Sequence, residues 1–483
     1  MSIEQDIQSL AHPELVHLCL SQQQAIASLE AQLLQLQDLL HRLRQENEAL
    51  QRASHRQAAP FSKGQPKQNP KPPGRKKGEG PFTFRAAPPE EAFTEPLIEV
   101  PVTEPVCPSC GGVLVQETQE LATVTELPVP QPVVKAYRVA VCRCQQCGAR
   151  IRGRHQDLPP SQQGASAHRL GERLRTTAQM LNSGVGIPMR QLPKVLELLT
   201  GVRVTQSALT QDKLRQAEGP VGACYQELRE QVKDSERTFT DDTGWRIGGE
   251  PAQLMAFDTD EGTVYQIRRQ HRNEEVRELL PSDYAGVMHC DRAKSYDAKA
   301  LEGVAQQKCL AHVLRSIEQV VEIKSAEAAE FGTELARLLR ESIGLWKAFQ
   351  ASLLTQTEYA RQGLVLEACL TGHLRARVLP DPDNQRLLDQ LGGHQDRGNL
   401  VRFLRDGRAE PTNNRAERAL RPAVIARKVS QCSKSERGAE AHAAFMSVIR
   451  TAIKRTGALI VDSVFHLLAN PRPTGPPLDP FPR

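Results

Sequence analysis

The chain has 483 residues, 62 Lys+Arg against 57 Asp+Glu for a net charge of +5, and eleven cysteines. That length exceeds what one hydrophobic core organises, so roughly three or four domains are expected. No run of about 18 apolar residues occurs and MSIEQDIQSL has no basic-then-apolar pattern, so neither a helical membrane span nor an export leader is expected and the cytoplasm is the expected location.

In residues 1–52, Ile26, Leu29, Leu33, Leu36, Leu40, Leu43 and Leu50 follow a three-four alternation broken by Asn47. This predicts a coiled coil of about four heptads and a parallel dimer, in which a single Asn fixes register. An amphipathic helix packed on its own chain is the alternative. Residues 53–100 read as a basic Pro/Gly-rich linker. Lys63 to Lys77 contains no acid and ends in Arg75, Lys76 and Lys77, a charge pattern that follows a phosphate backbone without reading bases, or simply stays solvated.

Residues 101–155 contain CPSCGG at Cys107–Gly112 and CRCQQCG at Cys142–Gly148. Five of the eleven cysteines fall here, an odd total that argues against a disulfide framework. Two C-x-x-C knuckles, each followed by Gly, supply four thiolates for tetrahedral zinc. Cys107, Cys110, Cys144 and Cys147 are the expected Zn2+ ligands, Cys142 a spare, and the insert between the knuckles is expected to form a β-hairpin. A redox pair is the competing reading.

Residues 156–235 read as helical. Leu192, Val195 and Leu198 would face a core, Gly201 would break the helix, and Thr205 and Ser207 would begin another, a spacing shared by helix-turn-helix units and plain helical hairpins. At Arg237 the period changes to short β-rich runs separated by Gly and Asp turns, and the first and third of these are expected to end in Asp241 and Asp291. A helical segment to about Cys369, a Gly/Asp/Asn-rich stretch to Asn399 and a helix over Ala439–Ile460 follow.

Gly407–Pro422 (GRAEPTNNRAERALRP) reads as a helix start. Thr412, Asn413 and Asn414 are N-cap types, and Asn413, Glu417 and Arg421 share one face. On its own Glu417 is a solvated salt-bridge residue. With Asp241 and Asp291 it completes three carboxylates of the kind that hold two Mg2+ (or Mn2+) ions about 3.5–4 Å apart for phosphoryl transfer.

At these motifs the chain closely resembles transposases of the insertion sequence 66 family, over nearly its whole length. Asp241-Asp242-Thr243, Asp291 with Tyr296, Cys309-Leu310-Ala311-His312 and Asn413-Asn414-Arg415-Ala416-Glu417-Arg418-Ala419-Leu420-Arg421-Pro422 stand where that family has D-E-T, Asp followed by Tyr, C-x-A-H and N-N-x-x-E-R-A-x-R-P. Asp242 replaces the usual Glu, which leaves Asp241 against Asp242 open; Asp241 matches the motif's first acid.

The resemblance implies a multidomain α+β chain with an RNase H-like α/β catalytic core, residues 236–322 and 406–470, interrupted by a helical insertion at 323–405. Before the core come the coiled coil, the small zinc module and a helical DNA-binding region, and after it a tail at 471–483. It further implies an Asp-Asp-Glu transposase whose Asp241, Asp291 and Glu417 bind Mg2+ and whose partners are element ends, target DNA, a second copy of the chain and small accessory proteins of the same element. Arg415, Arg418 and Arg421 would contact DNA phosphates or pair with Glu on the helix surface. His312 would touch DNA or a carboxylate, or be a structural histidine like the core residue Cys309. An Asn-rich cap would aim Glu417, so that Asn414→Ala lowers activity. A non-catalytic zinc-containing DNA-binding protein or decayed copy, and a resolvase-like nuclease, are the other classes to separate.

Overall fold

The computed structural model describes residues 12–54, 87–127, 131–155, 158, 169–430 and 432–457. Arg75, Lys76 and Lys77, the rest of 55–86 and the C-terminal tail lie outside the described residues. The chain divides into two units, residues 53–131 and the remainder, and each is taken by itself.

Helix α1, His12–Ser54, runs unbroken for 43 residues. On its expected seam Ile26, Leu29, Leu33, Leu36, Leu40 and Leu43 are 51–64% exposed, so the single chain leaves this apolar stripe in water. The side chains of Asn47 and Leu50 lie outside the described residues. In the 53–131 unit the described residues carry one short helical turn, Glu90–Ala92, and no strand. The expected hairpin between the knuckles is absent among them. Val113, Val115 and Val124 are 85–90% exposed, and strand-forming side chains with no face to bury do not make a sheet. Strands form instead around the second knuckle, where β1 (Val141–Arg143) pairs antiparallel with β2 (Arg150–Arg152).

Among the described residues, α2 (Glu172–Gln179), continued by a π-helical turn over Met180–Val185, then α3 (Leu192–Thr200), α4 (Gln206–Glu218) and α5 (Pro220–Lys233) lead into the main sheet. Gly201 ends α3 at φ +69°, and Thr205 Oγ1 caps α4 by accepting from Ala208 N at 3.2 Å. The buried face of α3 is Leu192 and Leu196, whereas Leu198 is 84% exposed. The core therefore follows the i, i+4 pair and not the expected i, i+3, i+6 set.

The main sheet contains β3 (Arg237–Ile247), β4 (Glu250–Asp258), β5 (Thr263–Arg268), β6 (Val287–Cys290) and β7 (Ala305–Lys308), in the order β5-β4-β3-β6-β7. The first three form an antiparallel meander and the last two join in parallel. Gly248 and Gly249, at φ +63° and +91°, supply the positive angles that a two-residue hairpin turn needs. Side chains alternate across the sheet. Met255 and Phe257 enter one core with α5, and Leu254 and Ala256 enter the other with Leu420 and Ala423. Short helix α6 (Asn273–Arg277) lies between β5 and β6.

After β7, α7 (Leu310–Val321) leads into α8 (Ala326–Gln350), α9 (Gln356–His373) and α10 (Pro382–Asp396). These pack a separate core of Val313, Ile317, Leu335, Leu339, Leu370 and Leu391. Helix α10 replaces much of the expected Gly/Asp/Asn-rich stretch. Asp381 Oδ1 caps it by accepting from Asp383 N and Asn384 N, both at 3.0 Å, and Pro382 opens it. Gly392 within it lies so close to the α9 end that a Cβ would stand 3.2 Å from Leu374 O. The chain then returns to the sheet in α11 (Asn414–Ser430) and α12 (Glu436–Thr456). Among the described residues no helix is long and apolar enough to cross a membrane.

Candidate active site

Asp241 sits inside β3 and not at its end, contrary to the sequence expectation. The parallel pairing with β6 stops at Phe239↔His289, while the antiparallel pairing with β4 runs on to Ile247↔Glu250. Trp245 and Ile247, 3% and 1% exposed, keep the strand going because they have a core to enter. Continued in register, Asp241 falls opposite Asp291, the first residue beyond β6. The strand is thus joined to β4 alone where it carries the carboxylate.

Burial pushes the Asp241 carboxyl up to about 7, and the charges of Asp291, Asp242 and Glu417 add to it. The Asp242 N–H, donated to Asp241 Oδ1 at 3.0 Å, only partly offsets this. Asp291 Oδ1 accepts from Ala293 N at 2.9 Å, an Asx turn that fixes the loop after β6. Asp242 points elsewhere. His271 Nδ1 lies 3.0 Å from Asp242 Oδ1, and His271 Nε2 lies 3.3 Å from Ser295 Oγ. Burial opposes protonation of His271, but the hydrogen bond and charge of Asp242, with Asp291 behind it, outweigh burial and hold the imidazole above its ordinary value. His271 was not anticipated. It follows the β-rich run in an Arg/Gln/His stretch, and no spacing rule ties it to Asp242.

Three segments are stitched together at Asn413 and Cys309. Asn413 Nδ2 donates to Thr240 O at 2.7 Å, and Asn413 N donates to Cys309 Sγ at 3.2 Å. Cys309 N donates to Cys290 O, and Leu310 N to Pro411 O. Thr240 and Cys290 immediately precede Asp241 and Asp291, and Glu417 N donates to Asn413 O at 3.3 Å. One buried node therefore touches the backbone beside each carboxylate. The asparagine at the node is Asn413, 0% exposed; Asn414, given the capping role by sequence, is exposed. His312, one turn into α7, brings Nε2 to 3.7 Å from Glu417 Oε1, longer than a hydrogen bond.

The three arginines separate. Arg415 spends its guanidinium on Asp258 Oδ2 at 3.2 Å, Asp260 Oδ1 at 2.7 Å and Thr259 O at 2.8 Å, and lies 4.3 Å over the Phe239 ring. It pins α11 to the β4–β5 turn. Arg418 and Arg421 are exposed and have no carboxylate partner among the described residues. Arg427, not anticipated, donates to Thr243 Oγ1 at 3.0 Å and ties the same helix to β3.

The two knuckles share one local geometry. Cys107 N donates to Gly112 O and Gly111 N to Cys107 O; Cys144 N donates to Ala149 O and Gly148 N to Cys144 O, all at 2.8–2.9 Å. Backbone N–H groups of Ser109 and Cys110 lower the Cys107 thiol below its ordinary value, and those of Cys147 and Gln146 do the same for Cys144. Cys110, Cys142 and Cys147 are exposed. The first knuckle belongs to residues 53–131 and the second to the remainder of the chain.

The model of a family described as "Transposase IS66 family" matches residues 169–441, a span that includes Asp241, Asp291, the C-x-A-H segment and Glu417. No curated protein matches the chain. Because the family match covers more than half of the 483 residues, the chain belongs to the IS66 family of transposases.

Proposed function

We propose that the chain is an Asp-Asp-Glu transposase that cleaves and joins DNA strands at the ends of its element, on an RNase H-like core. The observation that carries this reading is the grouping of Asp241 with Asp291, which falls opposite it in register, and with Glu417, whose N–H bonds to Asn413 at the same node. Burial first, and then the charges of Asp291, Asp242 and Glu417, push the Asp241 carboxyl up to about 7. A carboxylate held among like charges is a site with too few cations of its own. The strand order β5-β4-β3-β6-β7, an antiparallel meander followed by two parallel strands, supports the fold.

Asp241, Asp291 and Glu417 would hold Mg2+ or Mn2+, for which an all-oxygen donor set fits hard divalent ions. When bound, such ions polarise the attacked phosphate and lower the pKa of the attacking hydroxyl. The chain's own residues do the rest. Asp241 feels the charges of Asp291 and Glu417 while His271 is paired with Asp242, which favours Asp241 as the ligand and Asp242 as the anchor. Asn413 and Cys309 fix the backbone beside all three. Exposed Arg418 and Arg421 bear toward DNA phosphates, as would Arg75, Lys76 and Lys77, whereas Arg415 is a structural pin. The exposed seam of α1 fits a dimer, and each knuckle offers a pair of thiolates suited to Zn2+.

The test is magnesium-dependent cleavage and strand transfer on element ends with Asp241→Ala, Asp291→Ala and Glu417→Ala. Each is expected to lower the rate by at least about 10²–10³-fold, as removal of one group from a preorganised site does. Native rates in all three sink the reading, and cleavage without joining redirects it to a nuclease.

A further inference from the structure

Beside the three acids stands a second donor set of different chemistry. Cys309 is the residue before α7, His312 lies one turn along it, and Glu417 is in the first turn of α11. One ligand atom from each lies within 4.8 Å of the other two. A tetrahedral ion with bonds of about 2.0–2.3 Å keeps its ligand atoms about 3.3–3.8 Å apart. The His312 Nε2 to Glu417 Oε1 distance of 3.7 Å already falls in that range.

Burial pushes the Cys309 thiol up, and backbone donors around the sulfur partly offset this. Asn413 N donates to Cys309 Sγ, and the N–H groups of Ala311 and His312 at the start of α7 face the same sulfur. Such donors orient a ligating thiolate. Nε2 is the His312 nitrogen that faces Glu417; the buried Nδ1 has no hydrogen-bond partner among the described residues, so no hydrogen bond at Nδ1 fixes which nitrogen carries the proton. His312 and Glu417 side chains are 32% and 36% exposed, which gives an ion a way in. Sulfur, nitrogen and one carboxylate oxygen select a borderline-soft ion over magnesium.

We infer that Cys309, His312 and Glu417 bind a divalent ion of the zinc class, and that this ion competes with magnesium for Glu417. Binding stands on the donor set itself; the competition rests on the catalytic role proposed above for Glu417. Zinc at this site withdraws one carboxylate from the catalytic three and holds the enzyme inactive until magnesium regains it.

The experiment uses the full chain stripped of metal and titrated with Co2+, whose visible and near-ultraviolet bands report tetrahedral thiolate ligation. The native chain is expected to take up one more Co2+ per chain than Cys309→Ser, His312→Ala or Glu417→Gln, all of which keep both knuckles. Equal uptake by the native chain and all three variants overturns the site. His312→Ala, at a partly exposed position, keeps the test valid if Cys309→Ser does not fold. In cleavage assays, inhibition by Zn2+ should be relieved by added Mg2+, and His312→Ala should need at least tenfold more Zn2+ for half inhibition. Unchanged inhibition in that variant overturns the competition. Absence of any DNA cleavage by the native chain sinks the transposase reading and the competition with it, while the Co2+ count still decides the site.

Discussion

The chain uses a Cys-x-x spacing in two settings, and the settings differ in what fixes them. At the knuckles each turn is closed by its own backbone within six residues, Cys107 to Gly112 and Cys144 to Ala149. There the first thiol of each pair is partly exposed and held below its ordinary value by nearby N–H groups. At Cys309-Leu310-Ala311-His312 the thiol is 1% exposed. Burial pushes it up, although N–H groups of Asn413, His312 and Ala311 face it too. Its partners Asn413 and Cys290 come from the residue before α11 and from the end of β6. The same spacing thus makes a self-contained turn in one place and, in the other, a node that exists only when the sheet is assembled. Disturbing the first is therefore expected to cost the fold little, and disturbing the second to cost it more.

The largest expected effect follows from breaking the node. Asn413→Ala leaves Thr240 O, buried in β3, without its donor, at a cost of about 1–3 kcal/mol. It also frees the backbone beside Asp241, while the main-chain bonds of position 413 to Cys309 Sγ and Glu417 N remain, so cleavage should fall at least tenfold. Cys144→Ala, which disturbs only a local turn, should unfold within about 0.5 kcal/mol of the native chain. Urea titration followed by fluorescence of Trp245 and Trp346 measures both. Equal destabilisation by the two variants would erase the distinction between local turn and assembled node.

A second effect, smaller and of opposite sign, concerns the acid that the node positions. The Asp241 carboxyl moves from an ordinary 3.8 to about 7 on folding. A raised carboxyl stabilises the fold most below its unfolded value, so its contribution is present below about pH 4 and is lost as the pH climbs through 7. In metal-free protein Asp241→Asn removes that loss. It should stabilise the chain by roughly 2 kcal/mol at pH 8, less than the full linkage because solvent screens a partly exposed group, with the gap closing toward pH 4. Denaturation in chelator at the two pH values decides it; no difference at pH 8 would mean that folding does not raise the Asp241 carboxyl.

How far the sequence could be read follows the same division. Features made by a few consecutive residues were legible: the 43-residue run of α1, the helix break at Gly201 and cap at Thr205, and the β-rich runs that became β3 to β6. Features made by distant residues were not. Asp241 lies inside β3 although Gly and Asp turn residues follow it in sequence, because pairing with β4 carries the strand on to Ile247. The capping role went to exposed Asn414, since only Thr240 O and Cys309 Sγ, supplied by other elements, single out Asn413. Arg415 looked like a phosphate ligand until Asp258 and Asp260 arrived beside it. His271 and Arg427 had no local signature because their partners lie on β3.

The smallest effect tests the local side of the comparison. Gly148 and Gly111 hold φ +71° and +75°, and a Cβ at either would meet nothing within 4 Å. Alanine there costs backbone strain alone, about 1 kcal/mol. The strain falls on the turn that brings two thiolates together, so Gly148→Ala should weaken Zn2+ or Co2+ binding by about fivefold. It should leave the urea midpoint reported by Trp245 where it was. Asparagine tolerates the left-handed region better than alanine, so Gly148→Asn should recover much of the lost affinity. Recovery by asparagine separates backbone strain from crowding, since asparagine is the larger side chain and would do worse in a crowded turn. A shifted urea midpoint in Gly148→Ala would show that this knuckle, like Cys309, is held by the rest of the fold.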